Sequence, residues 1–304
     1  SLTRTQKGSC TMTSTEVTLT TDGRSIAEMM GLSKGSSGKR SMLARFSQIH
    51  SPLKGDMEIN GKSVRVDVVP AGAYKLLQSD DKVAYAVSPK IRIYAQRMQW
   101  TRWDSDENTM VKTVLVNNLT GDLKDNTGGF NAGRPSGYVE DFKSLPKATQ
   151  ELMRNTKRTK VVFGTVVMQG ATDEQGNAIE DASITEQEIP FVLDVKSRGS
   201  ITAVDDIMKS IDRKNSLPLQ YFLNMGAEMH SMPNGSEYAT FDITLGDKVD
   251  LVEADKDILD GFMEWISGMN NYINDTHNEK SGSSGMSATE ESIINDIIDV
   301  EVAD

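Results

Sequence analysis

The segment KIRIYAQRMQWTRW, Lys90 to Trp103, places a cation or an aromatic ring at nearly every second residue. In an extended strand, side chains two residues apart share a face. That periodicity predicts Lys90, Arg92, Tyr94, Met98, Trp100 and Arg102 on one face, with Ile91, Ile93 and Ala95 on the other. The second set is ordinary core. The first combines fixed positive charge with flat rings. Unpaired nucleobases stack on such rings at about 1–3 kcal/mol each while Lys and Arg track the backbone. A duplex hides the base faces and has no comparable use for them. The same residues also suit an interior, where Tyr and Trp pack and Arg stacks on them without any ligand. A bulge near Gln96-Arg97 would move Trp100 to the core side.

Further cations extend the pattern. Trp103 falls at the end of the strand, and Lys112 on its expected partner strand MVKTVLVNN. Arg134 lies in the glycine-rich stretch NLTGDLKDNTGGFNAGRPSGYVEDF, whose backbone can approach a polyanion closely. RNTKRTK supplies Arg154, Lys157, Arg158 and Lys160, a set suited to phosphates.

Other chemistries find less support. NGKS ends like a phosphate-binding loop, but Asp56 stands where its first glycine belongs, and GSSGKRS fails at both ends. DSDENT lacks the glycine and closing carboxylate of a calcium loop. His50, His230 and His277 show no ligand spacing, and the single cysteine, Cys10, rules out an internal disulfide and a cysteine-rich zinc site. No metal or other cofactor is expected. One catalytic pattern survives: Asp194 and Lys196 share a strand face with Asp181 upstream, which suits a Mg²⁺-dependent nuclease.

The net charge of −11 conceals a strong asymmetry. Residues 31–160 carry 22 Lys and Arg against 13 Asp and Glu, whereas residues 161–304 carry 8 against 28. A polyanion-binding part joined to an acidic part accounts for this, as does a solvated basic face. No apolar run approaches membrane-spanning length, and the opening residues do not read as a secretory signal.

These residues need elements to position them. Residues 1–40, rich in Ser, Thr and Gly, read as a flexible arm, 41–275 as the folded core and 276–304 as a disordered acidic tail. Asn60-Gly61 between alternating segments marks a hairpin. Strands are expected at KVAYAV, TKVVFGTVVMQ and IPFVLDVKS, and a second hairpin around SMPNG. Helices are expected over LPKATQELMRN, over ITAVDDIMKSI with Ser200 as its N-cap, and from Val252 to Ile273. The first strands read as a consecutive antiparallel series. After Lys280 come six acids and no base, with Ile293, Ile294, Ile297, Ile298, Val300 and Val302 among them.

The order of KIRIYAQRMQWTRW, GGFNAGRPSGYVEDF, KRTKVVFGTVV and the closing SIINDIIDVEVAD resembles that of the single-stranded-DNA-binding proteins of tailed bacteriophages, over roughly residues 42–304. The resemblance implies an α+β chain around an antiparallel OB-like β-barrel with helical additions. It implies a non-enzymatic, sequence-tolerant binder of single-stranded DNA in phage replication or recombination, in the cytoplasm of an infected bacterium. The tail, including Ile297, Ile298, Asp299, Glu301 and Asp304, would then recruit replication or recombination proteins. Self-association is left open. The bulk of residues 161–273 exceeds a minimal five-stranded barrel, and the cysteine cluster of some relatives is missing. A virion or assembly protein whose basic face meets another protein is the alternative, followed by the nuclease.

Overall fold

The computed structural model describes residues 43–78 and 80–282, with the backbone of a two-residue ribbon formed by β1 (Thr20–Thr21) and β2 (Arg24–Ser25). Apart from that ribbon, the expected N-terminal arm lies outside the described residues, as does the acidic tail from residue 283. The fold is mixed α+β and mostly sheet.

The strands follow the alternating and apolar runs of the sequence. They are β3 (Ala44–Gln48), β4 (Leu53–Ile59), β5 (Lys62–Val69), β6 (Tyr74–Leu77), β7 (Val83–Ala86), β8 (Lys90–Asp104) and β9 (Thr109–Lys112). Helix α1 (Lys147–Asn155) precedes β10 (Lys157–Val167), and the single turn α2 (Ala182–Thr185) precedes β11 (Ile189–Val195). After α3 (Arg198–Asp212) come β12 (Tyr221–Ser231), β13 (Glu237–Lys248) and α4 (Glu253–Lys280). Ser197, not Ser200, caps α3: its hydroxyl accepts the Ser200 N–H at 3.2 Å, and Ser200 is buried inside the helix. Helix α4 reaches Lys280, past the expected end of the core at 275.

Nine strands form one sheet in the order β13-β12-β8-β10-β11-β3-β6-β7, with β9 added to the far end of β8. The hydrogen-bonded path is open, because β13 and β7 occupy its two ends. The sheet nevertheless curls, since the Tyr74 hydroxyl on β6 donates to the Gly226 carbonyl on β12 at 2.6 Å. The pairing is antiparallel except between β11 and β3, which run parallel, so the strands are not one consecutive antiparallel series. The expected hairpin at Asn60-Gly61 forms, but as a separate two-stranded sheet of β4 and β5.

Helices cover both faces. Against one, Ile201, Val204, Ile207 and Ile211 of α3 pack with Ile91, Ile93, Val162, Phe191 and Leu223. Against the other, Ile258, Phe262 and Ile266 of α4 pack with Tyr94, Val161, Phe163 and Val192. The three- and four-residue spacing of the α4 apolar positions produces this seam. Among the described residues, no helix is long and apolar enough to cross a membrane.

Candidate nucleic-acid interface

Strand β8 pairs with β10 along most of its length, and a bulge interrupts the register. Phe163 pairs with Ala95 and Gly164 with Ile93, so Tyr94 has no partner across the ladder. Gly164 permits this approach: a Cβ there would sit 2.2 Å from the Arg92 carbonyl oxygen. One extra residue inverts the alternation beyond it. Arg92 and Tyr94 therefore face α4, whereas Met98, Trp100 and Arg102 lie on the α3 face with Ile91 and Ile93. The single cation-and-ring face expected from the sequence is split in two, two residues earlier than the Gln96-Arg97 position.

The first half is buried. Arg92 is 4% exposed and Tyr94 8% exposed. The Arg92 guanidinium donates to the Leu219 carbonyl at 2.9 Å and to both Glu188 oxygens at 3.1 and 3.2 Å, and its Nη2 lies 3.0 Å from Asp255 Oδ1. The Tyr94 hydroxyl donates to the same Asp255 oxygen at 2.7 Å, while Asp255 Oδ2 accepts the Val252 N–H at the start of α4. Burial alone would lower the Arg92 pKa, but Glu188, Tyr94 and Asp255 together raise it. Burial, then the bond to Asp255, pushes Tyr94 well above the usual phenol range. These two residues tie α4 to the sheet and leave no ring or cation for a ligand.

The second half opens. Trp100 is half-buried, with Arg158 directly across from it on β10 and Lys160 across from Met98. Two clefts of about 530 and 380 Å³ share Gln96, Met98, Asn117 and Lys160, and so form one furrow. Its floor is β8 and β10. Asn118 and Leu119 form one wall, and Asp205 and Met208 of α3 the other. The Lys160 ammonium, itself buried, lies 2.7 Å from Asp205 and 3.2 Å from Gln96 Oε1, while Arg158 is exposed. The Arg134 guanidinium stands 4.9 Å from the Trp100 ring centre.

The glycine-rich loop delivers Arg134 to that place through a buried carboxylate. Asp125 Oδ1 accepts the N–H groups of Thr127 and Gly129 and the Thr127 hydroxyl, and Oδ2 accepts the Ala132 N–H at 3.1 Å. Asn131 and Ala132 hold φ of 55° and 54°. That conformation costs a non-glycine residue roughly 1–2 kcal/mol, so the surrounding bonds must over-determine it. Arg102 supplies one of them, donating to the Ala132 carbonyl at 2.9 Å while its Nη1 pairs with Asp104. Arg102 thus anchors the loop on β8 instead of offering a free cation.

The remaining residues divide in the same way. Arg154 is exposed and stacks on Phe142 at 5.2 Å, and Lys157 turns back to the Arg154 carbonyl at 2.8 Å. Trp103 is 53% exposed, but it lies on the α4 side with Thr101 and away from the furrow. Lys112, paired with Thr101, lines a cavity of about 260 Å³ under α4 with Arg45, Asp194, Trp265 and Met269. Burial lowers the Lys112 pKa, Asp194 acts the other way, and Arg45 and Lys196 add to the lowering. Gln96, Asn117 and Asn118 belong to the furrow and escaped the sequence reading. The Asn-Asn pair closing a predicted strand was their only signal.

The nuclease constellation is not assembled. Asp181 caps α2, accepting the Ser183 N–H and hydroxyl at 3.0 and 2.7 Å. Asp194 sits near the far end of β11, about 17 Å along the strand from its first residue, Ile189. Among the described residues, no group of three or more His, Cys, Asp or Glu side chains is placed to hold a metal ion. No protein-family model matches the chain, and no curated protein or solved structure is significantly similar to it.

Proposed function

We propose that this protein binds single-stranded DNA without sequence preference and acts in phage DNA replication or recombination. The observation that carries the reading is the Trp100 indole on the floor of an open furrow, with Arg158 across the ladder and Arg134 over the ring. In the free protein Arg134 covers the face a base would use. An entering base takes that place, and the displaced guanidinium turns to the neighbouring phosphate. Stacking of this kind tolerates every base, because each has a π face. Lys160 contributes less than its charge suggests, since Asp205 already pairs with it. Within this reading the curled sheet is an OB-like variant, and the acidic tail recruits replication or recombination proteins.

The test is titration of the full chain with oligo-dT and with a duplex of equal length at two salt concentrations. The oligo-dT complex should be the tighter, and its affinity should fall steeply with salt as counterions are released. Equal affinity for both nucleic acids, or none for either, overturns the reading. Cleavage of the oligonucleotide in Mg²⁺, abolished by Asp194→Ala, would establish the nuclease instead.

A further inference from the structure

The β4–β5 ribbon is a separate sheet that is anchored at its base, where Leu53, Val68 and Val69 pack with Val83 and Tyr85 of β7, and no strand among the described residues pairs with either of its edges. A lone two-stranded ribbon is marginal in water. This one also exposes an apolar face, with Met57 50%, Ile59 44% and Val64 41% exposed. Its charges balance, three basic (Lys54, Lys62, Arg65) against three acidic (Asp56, Glu58, Asp67), so it offers no net attraction to phosphate. A protein edge is the better match.

The turn fixes what that edge presents. Asn60 and Gly61, with φ of 53° and 73°, form a two-residue type I′ turn between the pair Ile59 and Lys62. Hydrogen-bonded and non-hydrogen-bonded pairs alternate from there, so Lys62, Val64 and Val66 bond to β4. Ser63, Arg65 and Asp67 direct their N–H and C=O groups outward. Neither Arg65 nor Asp67 is in an ion pair among the described residues.

We propose that β5 is a self-complementary edge that pairs antiparallel with β5 of a second copy of this chain, about a two-fold axis at Val66. In that register Arg65 stands opposite Asp67 of the partner subunit and Asp67 opposite Arg65 of the partner subunit. Val66 meets its own counterpart. Centring on Arg65 or on Asp67 would oppose like charges, and centring on Val64 would leave both charges without a partner. The result is a four-stranded sheet with a shared apolar face, and an isologous dimer.

Sedimentation velocity of the full chain without nucleic acid tests this independently of the DNA-binding reading. The wild type should show a concentration-dependent dimer. Arg65→Asp alone and Asp67→Arg alone should each weaken it at least about tenfold, since each puts two like-charge pairs across the axis. The combined Arg65→Asp, Asp67→Arg protein should recover the dimer to within about threefold of wild type. A monomer throughout the accessible concentration range, a dimer indifferent to the single reversals, or a swap that fails to restore it would overturn the proposal. Both positions, Arg65 and Asp67, lie on exposed strand surface, and unchanged circular dichroism would establish that each variant is folded.

Discussion

Arg92-Ile93-Tyr94 and Met98-Gln99-Trp100-Thr101-Arg102 belong to one strand and each combine an arginine, a ring and an apolar residue, yet they occupy opposite environments. In the first segment the arginine is enclosed by Glu188, Asp255 and the Leu219 carbonyl, and the ring is bonded to Asp255. In the second, the ring borders open space and its cations arrive from elsewhere, Arg158 from β10 and Arg134 from the glycine-rich loop. Composition does not separate them. A bulge of one residue does, by turning the second segment away from α4. Residue type sets what a side chain can do, and the parity of the ladder decides whether it meets protein or solvent.

The comparison breaks first at Arg92. Arg92→Met leaves the Asp255 and Glu188 carboxylates without their cation, one of them fully buried, and should cost about 3–5 kcal/mol of stability in urea unfolding. The affinity of the folded fraction for oligo-dT should stay within about twofold of wild type, because Arg92 lies on the far side of the sheet. A large loss of affinity with little loss of stability would reverse the roles given to the two segments.

Lys112 gives the smaller effect. Its folded pKa lies below the unfolded one, so between the two the unfolded chain holds more protons and stability rises with pH. Thermal unfolding followed as pH rises towards the ordinary lysine pKa of about 10.4 should show that rise. Lys112→Met should flatten it and raise stability at pH 7, while leaving DNA affinity unchanged. If the variant binds DNA less tightly, the cavity under α4 belongs to the interface.

Much of the fold was legible because the signals were local. Asn60-Gly61 marked a hairpin, the α4 stripe a helix, and the apolar runs of β10 and β11 buried strands. What failed was non-local. Strand order depends on pairings between distant segments, such as β3 with β11. The face assignment of Trp100 depends on how β8 meets β10, and the informative residue was on the partner strand. A glycine inside VVFGTVV signals a bulge or a close backbone approach, and Gly164 makes both. The strand that carries chemistry cannot be assigned a face without its neighbour. The glycine-rich loop reads in the sequence as backbone that can approach a polyanion closely, and nothing local in it shows that Asp125 and Arg102 hold it in one shape.

Trp100 can be interrogated alone, since the chain has three tryptophans. A Trp103→Phe, Trp265→Phe protein retains only the indole in the furrow. Its emission should be quenched saturably by oligo-dT and recover when salt dissociates the complex, and adding Trp100→Ala should weaken binding by about 1–3 kcal/mol. Binding that leaves the Trp100 emission unchanged and survives Trp100→Ala undiminished would contradict the account.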